Sequence, residues 1–116
     1  MLVDDELDNS SIFKIALEDA GFEVDTYNDS ELALSAFKPN YYDLLILDIR
    51  MPKMDGYELY AKMRKKDNKV KVCFLTATEK YKEEHISSFL SSGCFLIKPI
   101  RIDDLVKKVN EMVKQK

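Results

Sequence analysis

The stretch LLILDIRMPKMDG, residues 44–56, decides how this chain folds. Four apolar residues, Leu44, Leu45, Ile46 and Leu47, run without alternation into a carboxylate, Asp48, and then into a loop holding Pro52 and Gly56. An unalternating apolar run of this length reads as a strand covered on both faces, as in a parallel sheet flanked by helices. A buried strand has no structural need for a charge at its tip, so Asp48 points to chemistry at the strand end.

Working outward, apolar runs of strand length alternate with stretches of helical period, the pattern of successive βα units. The strands are expected at Met1–Val3, Phe22–Thr26, Asp43–Asp48, Val70–Leu75 and Cys94–Ile97. A first helix is expected over Ser10–Ala20, with Ile12, Ile15, Ala16 and Ala20 on one face and Gly21 as its stop. A second, capped by Asp29 or Ser30, carries Leu32, Ala33, Ala36 and Phe37 before Pro39 forbids its continuation. A third spans Gly56–Lys66 with Leu59, Tyr60 and Met63 inward, and a fourth spans about Lys82–Ser92 with Ile86, Phe89 and Leu90 buried. The last, about Ile102–Lys114, has Leu105, Val106, Val109, Met112 and Val113 on its apolar stripe. The expected fold is α/β: a single domain over 1–116, with a doubly wound, five-stranded parallel sheet of order 2-1-3-4-5 and five helices, flavodoxin-like in topology.

The chain has 116 residues, 46% of them hydrophobic and 34% charged, with a net charge of -3, which gives no reason to expect a direct nucleic-acid partner. No apolar run approaches the ~20 residues of a membrane span and no signal-peptide pattern is present, so no membrane association and a cytoplasmic location are expected. Cys73 and Cys94 lie in apolar runs without CxxC spacing and read as buried core thiols. His85, the only histidine, reads as a solvated helix residue.

The polar residues at the strand ends are the informative ones. Asp4 and Asp5 follow the first strand, Asp48 ends the third, Thr76 follows the fourth and Lys98 the fifth. Carboxyl ends of parallel strands share one sheet edge, where ligands bind at the reversal of strand order. If the order is 2-1-3-4-5, strands one and three are neighbours there, and Asp4, Asp5 and Asp48 converge. Carboxylates ~4 Å apart repel by ~4 kcal/mol at an effective dielectric near 20. One lysine leaves the pocket negative, and an oxygen-only negative pocket suits Mg²⁺.

At these residues the sequence closely resembles the CheY-like receiver domains of two-component response regulators: LVDDE, LLILDIRMPKMDGYEL, FLTAT and FLIKPI agree in order and spacing. The resemblance implies a phosphorelay signalling domain that catalyses only its own phosphorylation and dephosphorylation. Asp48 would be the phosphoacceptor, attacking the phosphohistidine of a sensor histidine kinase or phosphotransfer protein. Asp5 directly, and Asp4 through water, would hold Mg²⁺ together with Asp48 and the backbone carbonyl of Arg50. Lys98 would pair with Asp48 and then with a phosphoryl oxygen, aimed by a cis peptide before Pro99. Thr76 and Phe95 would be the switch pair, altering the face formed by about Lys82 to Lys114 for a downstream protein target or a phosphorylation-dependent homodimer. Arg50 and Thr78 would tune the lifetime of the acyl phosphate.

Two departures stand out. Only Met1-Leu2-Val3 precede the aspartates, and Phe95 lacks the hydroxyl of the commoner tyrosine. Three other functions fit less well. A phosphatase of the haloacid dehalogenase type needs an acid two residues after its nucleophile, where this chain has Arg50. A docking-only receiver would lack some of Asp5, Asp48, Thr76 and Lys98, and a flavodoxin-like electron carrier needs a Ser/Thr-rich phosphate loop after the first strand.

Overall fold

Residues 1–76 and 93–114 are described by the computed structural model of the chain. The expected fourth helix, with His85 and Thr78, lies outside the described residues.

Five strands, β1 (Leu2–Val3), β2 (Thr26–Tyr27), β3 (Leu44–Asp48), β4 (Lys71–Thr76) and β5 (Gly93–Ile97), form one parallel sheet in the order β2-β1-β3-β4-β5. Four helices are described: α1 (Leu7–Asp19), α2 (Ser30–Ala36), α3 (Gly56–Lys66) and α4 (Ile102–Lys114). The expected strand order holds.

Successive side chains of a strand point to opposite faces, and the two cores follow that rule. Val3, Leu45, Leu47, Val72 and Phe74 pack with Ala33 of α2 and with Leu59, Tyr60 and Met63 of α3. Leu2, Leu44, Ile46, Cys73 and Leu75 pack with Phe13 and Leu17 of α1 and with Leu105, Val109 and Met112 of α4. Every residue of β3 is buried, which is why its sequence is an unbroken apolar run.

Several local expectations are corrected. Helix α1 begins at Leu7, and its inward residues are Ser10, Phe13 and Leu17. Ile12 and Ile15 are exposed, at 48% and 60%. The Ile12–Ala20 stripe has the right period in the wrong phase: it is Phe13 and Leu17 that pack with Leu2 and Leu44. Likewise Leu32 is exposed, and α2 buries Ala33 while Phe37 is buried just past its end. The second strand is shorter and later than Phe22–Thr26. β1 offers only Leu2 and Val3 as partners, which pair with Thr26 and Tyr27.

The two cysteines are not free thiols. Cys73 and Cys94 are joined in a disulfide, with Cα atoms 4.5 Å apart. Parallel pairing sets them directly opposite each other on β4 and β5.

Candidate functional site

The register of β1 on β3 pairs Leu2 with Ile46 and Val3 with Leu47, so the next residues of the two strands, Asp4 and Asp48, come side by side at the carboxyl edge. β3 is held against β4 up to Asp48 opposite Leu75, and the Ile49 N–H donates to the Leu75 carbonyl at 3.0 Å. β4 pairs with β5 up to Thr76 opposite Ile97, and the Lys98 N–H donates to the Thr76 carbonyl at 2.7 Å. That last bond carries Lys98 out of the strand beside the carboxylates. The Lys98–Pro99 peptide is cis, as expected.

The Lys98 ammonium lies 3.1 Å from Asp48 Oδ2, 3.4 Å from Asp4 Oδ2 and 3.7 Å from Glu6 Oε1. Carboxylate oxygens of Asp4, Glu6 and Asp48 all lie within 4.8 Å of one another. Asp4 is fully buried and Asp48 is 5% exposed. Burial, reinforced by the Asp4 carboxylate, pushes the Asp48 carboxyl from its ordinary 3.8 up to about 7, against the pull of Lys98. Burial pulls the Lys98 ammonium down, but the Asp48 and Asp4 carboxylates outweigh it and hold it above its ordinary value.

The loop carrying the acids is pinned from behind. Asp4 Oδ1 accepts the Glu6 N–H at 2.9 Å, and Asn28 Nδ2 donates both to the Asp4 carbonyl at 2.8 Å and to Ser10 Oγ at 2.9 Å. Beneath Asp48, the Gly56 N–H donates to the Ile49 carbonyl at 2.8 Å, and Asp55 caps α3 by accepting the Glu58 N–H. A Cβ on Gly56 would collide with the Asp48 carbonyl oxygen. Gly56 therefore does more than turn the chain: it lets α3 start directly against the backbone of Asp48.

The structure brings together Asp4, Asp48 and Lys98, with Thr76 buried at the neighbouring strand end. Asp5 shares the loop with an exposed side chain and is not in the three-carboxylate cluster, and Arg50 is also exposed. Phe95 packs on the first core with its ring 5.5 Å from that of Phe74. Sequence reasoning missed Glu6 and Asn28. Glu6 had a visible cue, being the third acid of Asp4-Asp5-Glu6; Asn28 had none, because its partners come from another part of the chain.

Among the described residues, three carboxylates against one ammonium leave the pocket negative. The donors are all oxygens, a set that fits a hard divalent cation such as Mg²⁺. Asp4, Glu6 and Asp48 would hold it, and its charge would offset their repulsion.

A family model described as the response regulator receiver domain matches residues 1–110. The chain is 28% identical over 115 residues to the transcriptional regulatory protein PcoR of Escherichia coli, covering 99% of this chain and 51% of PcoR. It is 31% identical over 112 residues to the sensor protein EvgS of Escherichia coli strain K12, covering 97% of this chain and 9% of EvgS. It thus spans about half the length of one relative and a small part of the other. Among solved structures it is similar to the Vibrio cholerae chemotaxis protein CheY4, with TM-score 0.82 and 28% identity over 96% of this chain and 94% of that one.

Proposed function

The chain belongs to the family of response regulator receiver domains, and from that membership we propose that Asp48 is the residue through which it works as a phosphoacceptor. Receiver domains are signalling domains, and residues 1–116 act as one such unit. The observation that carries the assignment is the contact of Asp48 Oδ2 with Lys98 Nζ at 3.1 Å inside a cluster of carboxylates at a buried strand tip.

In the reaction, a carboxylate oxygen of Asp48 attacks the phosphorus of a phosphohistidine; the P–N bond breaks and an acyl phosphate forms. Lys98 is placed to follow the charge, passing from the Asp48 carboxylate to a phosphoryl oxygen. Mg²⁺ held by Asp4, Glu6 and Asp48 would supply positive charge against the transferring group, with Asp5 and the Arg50 carbonyl as the further ligands that the family pattern implies. The chain catalyses only its own phosphorylation and dephosphorylation. The phosphoryl source is a sensor histidine kinase or phosphotransfer protein, a reading supported by the likeness to a segment of a sensor protein. Thr76 and Phe95 relay the change to a downstream protein through the face that includes β5 and α4. Among the described residues no helix is long and apolar enough to cross a membrane.

Incubation with acetyl phosphate and Mg²⁺ tests the assignment: intact mass rises by one phosphoryl group in the parent and stays unchanged in Asp48→Asn. Equal uptake by the variant would show that the acceptor lies elsewhere. With a beryllofluoride phosphoryl mimic, amide chemical shifts move at Phe95 and along α4 as well as around Asp48; silence at Phe95 would remove the relay.

A further inference from the structure

We propose that Cys73 and Cys94 form a thiol–disulfide exchange site that sets how freely β5 moves against β4 beneath the phosphoacceptor pocket. The chain has two cysteines, and the structure spends both on one bond between neighbouring strands. Cys73 is opposite Cys94 in the parallel register, with the Cα atoms 4.5 Å apart, inside the range a disulfide spans without backbone movement.

The two sulfurs differ in access. Cys73 is 1% exposed, packed among Leu2, Ile46 and Leu105, whereas Cys94 is half-buried at the edge of the same core. Exchange requires a thiolate to reach one sulfur of the bond, and Cys94 is the one that can be reached. A dithiol reductant attacks Cys94 Sγ, forming a mixed disulfide and expelling Cys73 as a thiolate that takes up a proton. The second thiol of the reductant then attacks its own sulfur in the mixed disulfide and releases Cys94. The protein gains two electrons and two protons, and the dithiol leaves as a cyclic disulfide. A small disulfide reverses the sequence.

The position of the bond gives it a consequence. Thr76 lies three residues beyond Cys73 and Lys98 four beyond Cys94, so the bond sits about 10 Å below the residues that act on the phosphoryl group. It joins the strands on one face, while Phe74 and Phe95 meet on the other. It also closes the chain between Thr76 and β5 into a ring, the two cysteines being 21 positions apart. A relay that needs Thr76 and Phe95 to shift relative to each other is hindered by a covalent link between their strands. Reduction leaves the backbone ladder and the aromatic contact and removes only that link.

This last step rests on the phosphoacceptor reading; the exchange site does not. The chain, folded and without denaturant, is equilibrated in graded ratios of reduced and oxidised dithiothreitol, then unfolded in denaturant containing iodoacetamide, so that the buried Cys73 thiol is also alkylated, and weighed intact. The expected result is one reversible transition between molecules carrying two alkyl groups and none. Alkylation at the most oxidising ratio, or none at the most reducing one, overturns the proposal. The rate of phosphorylation by acetyl phosphate is then compared for the two forms. It is expected to be about fivefold or more slower in the disulfide form, with Cys94→Ser indifferent to reductant. Equal rates in the two wild-type forms overturn the link to the pocket. If neither form takes up a phosphoryl group, the phosphoacceptor reading fails and the alkylation result alone decides the exchange site.

Discussion

Gly56→Ala tests whether α3 really starts against the backbone that carries the phosphoacceptor. Gly56 is the first residue of α3, and its backbone angles are ones any residue adopts, so alanine would ordinarily be welcome there: in helix interiors the exchange favours the helix by about 0.8–1 kcal/mol. Here the new Cβ would strike the Asp48 carbonyl oxygen and lie 3.0 Å from Ile49 Cα and 3.1 Å from the Asp48 carbonyl carbon. Ordinary carbon contacts are about 3.5–4.0 Å, so α3 or the end of β3 must retreat by half an ångström or more. Overpacking of this kind costs about 1–3 kcal/mol, which outweighs the propensity gain. The displaced atoms are those of Asp48 itself, and misplacing a reacting group by ~1 Å costs on the order of 10²-fold in rate. Urea unfolding followed by circular dichroism should therefore show a net loss of up to about 2 kcal/mol, and intact-mass kinetics with acetyl phosphate should show a much larger relative loss of phosphorylation rate. A variant as stable as the parent and phosphorylated as fast would refute the claim that Gly56 is required by this contact.

Asp48→Asn should change how stability depends on pH. The native Asp48 carboxyl titrates near 7 and the unfolded one near 3.8, so the native state keeps a proton that unfolding releases. The stabilisation is fully present below the unfolded value and is lost as pH rises through about 7, a dependence that the variant lacks. Without divalent cations, the stability gap between parent and variant should move in the variant's favour from about pH 4 to about pH 7.5, and parallel pH curves would contradict the raised carboxyl. Asp67→Ala removes a buried carboxylate that accepts the Asn40 N–H at 2.9 Å and the Lys69 N–H at 3.0 Å. It should cost about 2–4 kcal/mol in urea unfolding with little effect on Mg²⁺ affinity, since Asp67 lies just past the far end of α3. Reduction of the Cys73–Cys94 bond should lower stability by about 3 kcal/mol, the loop-closure value for their separation of 21 residues, read as a lower urea midpoint in dithiothreitol.

The sequence by itself determined the parallel sheet and the edge on which the polar residues gather, while the strand order came from the resemblance of its motifs to receiver domains. The sheet and its edge are legible because burial on both faces forces continuous apolar runs such as Leu44–Leu47, and because residues at the ends of those runs can only project from one edge. It also determined the inner face of α3, where Leu59, Tyr60 and Met63 are all buried as the spacing requires. Tertiary structure alone decided the phase of α1: Ile12 with Ile15 and Phe13 with Leu17 both have helical spacing, and only the space above Leu2 and Leu44 chooses between them. It decided that Glu6, exposed on its loop, comes within 3.7 Å of Lys98, a residue from the other end of the chain. It decided the disulfide as well, because whether Cys73 and Cys94 face each other depends on the register of β5 against β4. Periodicity reports which residues share a face; it carries no information about which distant residue lies opposite, and that is fixed only when strands pair and helices dock.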